Sequence, residues 1–215
     1  MDEKLLDLKN PIIVDLWSGE IKSGFSREEK PKIVFKKEPK YKKVLRAFNK
    51  ENQELNEQYI GEDCDKYMGI IKLRYPVKHG IFANEQDILL IFNYLYSKLG
   101  LNSEEIEQHP VLVTKPLLNP YTNREKIANS LFNNLGIPAL FFASQPILSL
   151  FSTSSISGSV LESGEGVTQS CVIYEGYSLP NSYERFDYGG TDVSEYLKTL
   201  LKKEDINFKI QLNLD

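Results

Sequence analysis

The stretch Val160-Leu161-Glu162-Ser163-Gly164-Glu165-Gly166-Val167-Thr168 organises this chain, because it reads as a short apolar strand, an acidic glycine-spaced turn and a second strand. Its counterpart, Val14-Asp15-Leu16-Trp17-Ser18-Gly19, lies far upstream and has the same plan before an outgoing strand over Glu20–Phe25. Two such hairpins can face one another across a cleft. Each then presents backbone N–H groups to a phosphate and a carboxylate to the associated metal ion. The pair therefore predicts a candidate binding cleft.

The composition of the 215 residues describes an ordinary globular protein, with 41% hydrophobic and 26% charged residues, and argues against a disordered chain. This length allows one large domain or two small ones, with a sizeable core. No apolar run reaches membrane-spanning length, and the acidic start Met1-Asp2-Glu3 is unlike a signal peptide. We therefore expect a cytoplasmic protein without membrane insertion.

The cysteines and histidines are too dispersed to indicate a metal centre. Cys64 and Cys171 show neither CxxC nor Cys/His ligand spacing, so both are predicted to be reduced, without a structural disulfide or zinc site. His79 and His109 are each followed by a turn residue, which favours structural hydrogen bonding over metal ligation.

The net charge of −4 hides a local asymmetry. Nine Lys and Arg residues stand between Lys30 and Lys50 against one acid, Glu38, whereas the segment from Glu51 to Asp65 has six acids and no base. Such segregation can steer an acidic partner toward the basic block. The alternative is a solvated loop with adjoining charge. Nucleic-acid binding is not expected of a chain that is acidic overall and shows no nucleic-acid-binding module.

The first part of the chain predicts a small mixed sheet. Strands are expected over Pro11–Val14, Glu20–Phe25 and Ile33–Phe35, with a turn over 15–19 between the first two. The segment Lys36–Gln58 is polar, basic and then acidic, so it is predicted to protrude rather than to join the core.

The middle of the chain predicts a βαβ unit after one amphipathic helix. That helix is expected between the cap Asn84 and the stop Gly100. Apolar strands over Val111–Thr114 and 139–143 flank a second helix, for which Thr122 and Glu125 suggest a capping box. The apolar face of the second helix is predicted to contain Ile127, Leu131, Phe132 and Leu135, with Gly136 as its stop. The unit predicts an α/β protein with a partly parallel sheet.

The remainder of the chain repeats the opening pattern and then stops. A helix over Gln145–Thr153 leads to a Ser/Thr-rich link, 152–159, that is predicted to be a domain boundary. Strands follow near 160–162, 169–174, 177–179 and 182–186, and a helix follows the turn 187–192. The pattern is an incomplete internal repeat. It predicts a first domain over 1–151 with a protruding segment at about 36–69, and an incomplete second domain over 152–215.

Six local strings occur in the order of one known family and at nearly its spacing. They are Tyr75-Pro76-Val77-Lys78-His79-Gly80-Ile81, His109-Pro110-Val111-Leu112-Val113-Thr114, Asn119-Pro120 with Asn123-Arg124-Glu125-Lys126, Ile147-Leu148-Ser149-Leu150, Ser163-Gly164-Glu165-Gly166-Val167-Thr168 and Ile173-Tyr174-Glu175-Gly176-Tyr177. In these strings the chain resembles the actin family. The resemblance runs from Pro11 to Phe208 and covers about the first half of the family's pattern. It implies an actin/Hsp70/sugar-kinase-like ATPase fold, truncated to the first lobe and the start of the second.

A finer resemblance is to the centractin branch of the family, whose members form filaments in dynactin. It rests on four stretches: 26–32, 40–44, 137–141 and 193–208. Within the family the basic block Lys30–Lys50 corresponds to a protruding loop that touches the next subunit of a filament. The resemblance therefore implies other actin-family subunits or cytoskeletal assembly proteins as partners.

The resemblance also implies a cleft for ATP or ADP with Mg²⁺ between two lobes. Lys22 matches the lysine that contacts phosphate, and Gln145 matches the residue that positions the attacking water. Asp15 and Glu162 match the carboxylates that hold the cation through water. The two phosphate loops correspond to Ser18 and Gly19, and to Gly164, Glu165, Gly166 and Val167.

Three departures from the family's pattern weaken the expected chemistry. Leu16-Trp17 replaces Asn-Gly, which puts a large ring at the first turn. Glu162 and Glu165 replace aspartates, so each carboxylate is one methylene longer. Gln169 replaces a histidine that assists hydrolysis, and an amide is not a general base near neutral pH. The sequence therefore predicts that nucleotide is held weakly or not at all and that hydrolysis is lost.

Three functional hypotheses follow from the sequence. The favoured one is a structural or interaction subunit of a cytoskeletal assembly, because the absent second half should leave an apolar face of the first lobe uncovered. The alternative is an ATP-binding ATPase whose cleft is completed by another chain. A third is a gene fragment without an independent role.

Overall fold

The computed structural model describes residues 8–16, 19–36, 40–41, 60, 72–73 and 76–204. Trp17, Ser18, Cys64, most of the segment 36–69 and the tail 205–215 lie outside the described residues, so the predictions made for them are not tested here. No helix within the described ranges is long and apolar enough to cross a membrane.

The described elements alternate strands and helices as the sequence predicts. The strands are β1 (Ile12–Leu16), β2 (Glu20–Phe25), β3 (Ile33–Lys36), β4 (Lys40–Tyr41), β5 (Lys72–Leu73), β6 (Val77–Lys78), β7 (Ile81–Phe82), β8 (Val111–Lys115), β9 (Leu140–Ser144), β10 (Gly158–Ser163), β11 (Thr168–Tyr174), β12 (Tyr177–Ser178) and β13 (Glu184–Phe186). The helices are α1 (Glu85–Leu99), α2 (Ser103–Ile106), α3 (Tyr121–Asn129), α4 (Gln145–Ser152) and α5 (Gly190–Lys203), with a π-helical turn at Ser130–Asn134 and a 3₁₀ turn at Pro180–Ser182.

The first sheet has the strand order β3-β2-β1-β8-β9. β1, β2 and β3 pair antiparallel, whereas β1, β8 and β9 pair parallel, which confirms the predicted hairpin and the βαβ unit. The prediction that the first strand ends at Val14 is wrong, because β1 continues to Leu16. Asp15 therefore lies within the strand, opposite Lys22 of β2, and not in the turn.

The main core lies between the first sheet and α1. β1 alternates buried and less buried positions, so Ile12, Val14 and Leu16 point into this core. The predicted cap of α1 is confirmed, since the Asn84 side chain accepts a hydrogen bond of 2.9 Å from the backbone N–H of Asp87. Gly100 ends the helix with φ of 80°, a conformation that glycine adopts without steric cost. The other face of this sheet carries exposed apolar side chains; among them are Ile13 and Phe141, which flank Leu112 in register.

The capping box expected at Thr122 and Glu125 is wrong. α3 begins at Tyr121 after Pro120, and no side chain caps it. The buried side chain of Asn123 instead accepts a hydrogen bond of 2.9 Å from a backbone N–H of β7. This tertiary contact fixes the first turn of the helix, so the local capping signal does not determine where the helix starts.

The predicted apolar face of the same helix is only partly correct. Ile127 and Leu131 are buried, but Phe132 is 44% exposed. The π-helical turn Ser130–Asn134 widens the helix at this point. Because a π turn has more residues per turn than an α-helix, it changes the direction of the side chains that follow its start.

The second sheet has the order β10-β11-β12, and β13 pairs with β11. Its strands fall near the predicted positions, and α4 packs on one face. A small core there contains Leu117, Leu150, Cys171 and Ile173. Cys171 is free and buried, and burial, together with the nearby charge of Glu162, raises the pKa of its thiol.

The two hairpins have equivalent registers, which supports the internal repeat. In the first hairpin Asp15 lies opposite Lys22, and in the second Glu162 lies opposite Gln169. Both pairs join a carboxylate to the residue seven positions later. The two carboxylates therefore occupy corresponding places in the two sheets.

Candidate functional site

Asp15 lies in a polar network where β1 meets β8 and α4. Thr114 Oγ1 donates a hydrogen bond to Asp15 Oδ1, and Gln145 Nε2 lies 3.4 Å from the same oxygen and 3.2 Å from Thr114 Oγ1. Burial raises the pKa of Asp15 above its ordinary value; these hydrogen bonds and the charge of Lys22 act against that rise, and the charge of Glu162 adds to it. The two hairpins thus bring their carboxylates within electrostatic reach of each other.

Glu162 is held by neutral donors of its own chain. The Ser149 hydroxyl of α4 donates to Oε1, and Gln169 Nε2 donates to Oε2 at 2.7 Å. Glu162 and Asp15 are the oxygen donors that could hold the water shell of a divalent cation here.

Gln169 joins the two sheets through both ends of its amide. Its Oε1 accepts a hydrogen bond of 2.7 Å from the backbone N–H of Leu117, and its Nε2 donates to Glu162. The side chain is only 1% exposed. An amide that is buried and bonded in this way cannot take a proton from water near neutral pH.

Lys22 stands beside Asp15 and remains accessible to solvent. Its side chain is 43% exposed, and Nζ lies 3.7 Å from Oε2 of Glu20. A cavity of about 230 Å³ opens against the same face of the sheet, between Asp15, Lys22 and the turn that carries Glu28 and Lys30. This volume is smaller than the roughly 300–1,000 Å³ of typical small-molecule sites.

Hydrogen bonds to its backbone groups hold the second turn, 164–167, on two sides. The N–H of Gly164 donates to the carbonyl of Val167 at 2.9 Å, and the Nδ1 atom of His79 lies 2.5 Å from the carbonyl of Gly166. At the start of α5, the N–H groups of Gly190 and Thr191 donate to the carbonyls of residues 164 and 165 at 3.0 and 2.9 Å. His79 is therefore a structural hydrogen-bonding residue, as predicted, and His109 is another, with Nδ1 2.7 Å from a backbone carbonyl.

The two turns meet through the side chain of Glu165. A Cβ atom added to Gly19 would overlap the Oε2 atom of Glu165. The other carboxylate oxygen, Oε1, accepts a hydrogen bond of 3.1 Å from the hydroxyl of Thr191. While this carboxylate lies against Gly19, it occupies the space where a phosphate group would approach that glycine, and Asp15 and Glu162 remain the oxygen donors for a hydrated cation.

Arg185 is a site residue that sequence reasoning missed. Its side chain is 7% exposed, and its guanidinium donates to the carbonyls of Leu117 and His79 at 2.7 and 2.8 Å and to Asp187 at 2.8 Å. The planar guanidinium can bind several acceptors at once. In the sequence, Arg185 stands two residues before Asp187, a spacing typical of an exposed ion pair. No local pattern therefore indicates that Arg185 is buried.

The structure thus brings together Asp15, Lys22, Gln145 and Glu162, with the turn 164–167 close to Gly19. Ser18 is the one predicted site residue that lies outside the described residues. Within the described part of the chain, no group of three or more His, Cys, Asp or Glu side chains could hold a metal ion. Any cation here would depend on the two carboxylates and water.

Comparison with known proteins shows the family of this chain and a curated relative. The family profile described as Actin matches residues 6–213. A curated relative, "Actin-like protein" from Neurospora crassa, is 39% identical over 202 residues, which cover 92% of this chain and 51% of the relative. The chain therefore spans about half the length of that relative. Because the profile match extends over nearly the whole sequence, this chain belongs to the actin family.

Proposed function

We propose that this chain is a centractin-like structural or interaction subunit of a cytoskeletal assembly, such as an actin-like filament or a dynactin-type complex. Its partners are other actin-family subunits or cytoskeletal assembly proteins, and it acts in the cytoplasm. Nucleotide hydrolysis is lost. The observation that carries the proposal is the apolar outer face of the second sheet.

That outer face carries several large apolar side chains without a covering layer among the described residues. Leu161 is 77% exposed, Tyr177 is 79% exposed and Phe186 is 55% exposed. Leu161 lies on β10, Tyr177 on β12 opposite the exposed Tyr174, and Phe186 on β13 opposite Thr168, so all three stand on strands that pair with β11. Several exposed apolar side chains on one side of a sheet are typical of an interaction site.

Cosedimentation with purified centractin filaments tests the role of this face. The double variant Leu161→Asp/Tyr177→Asp is expected to sediment less than the unchanged chain, because it places two charges on the outer face. A matched double variant, Glu104→Gln/Glu195→Gln, alters exposed residues of α2 and α5 and should sediment normally. If neither the unchanged chain nor any variant sediments with centractin or conventional actin filaments, the proposal fails.

The basic block provides a second, separate test. Replacing Lys40, Lys42 and Lys43 with glutamate reverses three charges in the segment that resembles the subunit-contacting loop of the family. We expect weaker cosedimentation, with the loss most pronounced at low ionic strength because salt screens exposed charges. The same reversal on α5, at Lys198, Lys202 and Lys203, provides the control. Equal binding by both triple variants would show that the block is only a solvated loop.

The loss of hydrolysis is supported by Gln169. The amide is committed to Leu117 and Glu162, so it neither accepts a proton nor leaves space for a base in its position. Gln145, which the family resemblance assigns to water positioning, bonds to Thr114 instead. A purified chain with no phosphate release above background from Mg-ATP would agree with this part of the proposal.

The second candidate function is nucleotide binding in a cleft that another chain completes. It is favoured by the proximity of Asp15 and Glu162 and by the presence of Lys22 next to them. In that case the two carboxylates would hold Mg²⁺ through water, and Lys22, Ser18 and Gly19 would face the phosphates. The bound nucleotide would supply a phosphoanhydride and link the two lobes. Isothermal titration with Mg-ATP tests this candidate, and micromolar affinity with turnover would favour it over the structural role.

A further inference from the structure

The side chain of Glu165 has a position that neither proposed function explains. It reaches from the second turn to Gly19 at the end of the first, and its Oε2 atom occupies the space that a Cβ atom at position 19 would take. The described contact between the two turns is thus made by a charged side chain. In the actin-family pattern this position is an aspartate, whose carboxylate would end about 1.5 Å earlier.

Glu165 is anchored from behind at the start of α5. Its backbone carbonyl accepts a hydrogen bond of 2.9 Å from the N–H of Thr191, and its Oε1 atom accepts one of 3.1 Å from the Thr191 hydroxyl. A Cβ atom on Gly189 would overlap the backbone of Glu165 and Gly166, so the helix start packs tightly on the turn. With the backbone and one carboxylate oxygen bound, the other oxygen stays directed toward Gly19.

The carboxylates of the cleft make the binding of an additional anion there unfavourable. Asp15, Glu162 and Glu165 are carboxylates, whereas Lys22 is the cation that affects Asp15 from the neighbouring strand. Like charges in a partly desolvated gap repel one another more strongly than they do in water. A polyphosphate that enters between the turns therefore has to displace the Glu165 carboxylate.

We propose that Glu165 is a built-in competitor of phosphate, a carboxylate that occupies the space between Gly19 and the second turn without a ligand. The proposal concerns the cleft and does not depend on whether the chain joins a filament.

The test is the affinity for Mg-ADP and Mg-ATP of the full chain and three variants, measured by isothermal titration and by the shift in melting temperature. Glu165→Asp withdraws the carboxylate, Glu165→Gln keeps its size but removes the charge, and Glu165→Ala removes both. We expect little binding to the unchanged chain at about 1 mM nucleotide and an affinity at least about tenfold higher for Glu165→Asp and Glu165→Ala. Glu165→Gln should lie between them.

Glu184→Asp is the matched control, because it shortens another exposed glutamate of the second sheet, away from Gly19. Glu165 is itself exposed on its outer side, so shortening it creates no core cavity, and circular dichroism will show whether each variant is folded. Equal nucleotide affinity in the unchanged chain and Glu165→Asp would overturn the proposal. So would the absence of binding in every folded variant. Neither result affects the cosedimentation test of the assembly role.

Discussion

The two hairpins share a plan but differ in what lies opposite the carboxylate. In the first, Asp15 faces Lys22, whose side chain is 43% exposed. In the second, Glu162 faces Gln169, which is 1% exposed and bonded at both ends of its amide. Equivalent positions in a repeat therefore have different roles, because the first hairpin meets solvent there and the second meets the other sheet. The repeat predicts where the carboxylates lie, and the neighbouring sheet decides the function of the residue opposite them.

The two sheets also differ in how many apolar side chains are buried against them. The core under the first sheet contains 19 buried apolar residues, whereas the described core under the second contains four. Of the 20 large apolar side chains exposed among the described residues, 12 lie between Ile156 and Leu200. The first sheet thus has a core of its own, and the second presents apolar surface that a partner can cover.

The largest expected difference in stability is between two phenylalanines, one in the main core and one on the outer face of the second sheet. Phe92 is fully buried in the main core, so Phe92→Ala should lower the free energy of unfolding by about 3–5 kcal/mol. Phe186 is 55% exposed on the outer face, and Phe186→Ala should lower it by less than about 1 kcal/mol. Urea unfolding measures both. Equal losses would mean that the second sheet is covered in solution as well as the first.

The next largest difference in stability is expected between variants of the two residues that lie opposite the carboxylates. Gln169→Ala leaves the N–H of Leu117 and one oxygen of Glu162 without their partner, so we expect a loss of about 2–4 kcal/mol. Lys22→Ala should change stability by no more than about 0.5 kcal/mol, since its ion pair with Glu20 is exposed. Gln169→His can keep a donor and an acceptor and should recover part of the loss. A loss in Lys22→Ala as large as that in Gln169→Ala would contradict the distinction between the hairpins.

A smaller effect depends on pH. Burial raises the pKa of Asp15 above 3.8, so the folded chain holds this proton more tightly than the unfolded chain. The stability contributed by Asp15 therefore falls as the pH rises from about 3.8 through the raised pKa. Asp15→Asn should be more stable than the unchanged chain at pH 7, by on the order of 1 kcal/mol, and the difference should shrink toward pH 4. Thermal melting across this range checks it, with Glu20→Gln as the exposed control, and a difference independent of pH would contradict the explanation.

The smallest effect concerns the main core alone. The hydroxyl of Tyr96 is buried and has no hydrogen-bond partner among the described residues, and burial raises the pKa of this tyrosine. Tyr96→Phe removes an unsatisfied polar group at little cost in packing, so stability should rise by about 0.5–1 kcal/mol. A lower urea midpoint in Tyr96→Phe would indicate that the hydroxyl has a partner in solution.

The sequence predicts the parts of this structure that depend on local pattern. The cap of α1 at Asn84, the βαβ unit and the meeting of Asp15 with Glu162 all follow from residue spacing. The start of α3 does not, because the buried Asn123 overrides the signal at Thr122. Nor do the long-range contacts of Gln169 and Arg185, since burial and bonding to distant backbone groups leave no mark on neighbouring residues.

Arg185 also has a mechanical consequence. Its guanidinium binds the carbonyls of Leu117 and His79, so one side chain of the second sheet holds both the loop after β8 and the β6–β7 turn. Any movement of β13 away from these two segments has to break both bonds. Arg185 therefore resists separation of the second sheet from the rest of the described chain at this point.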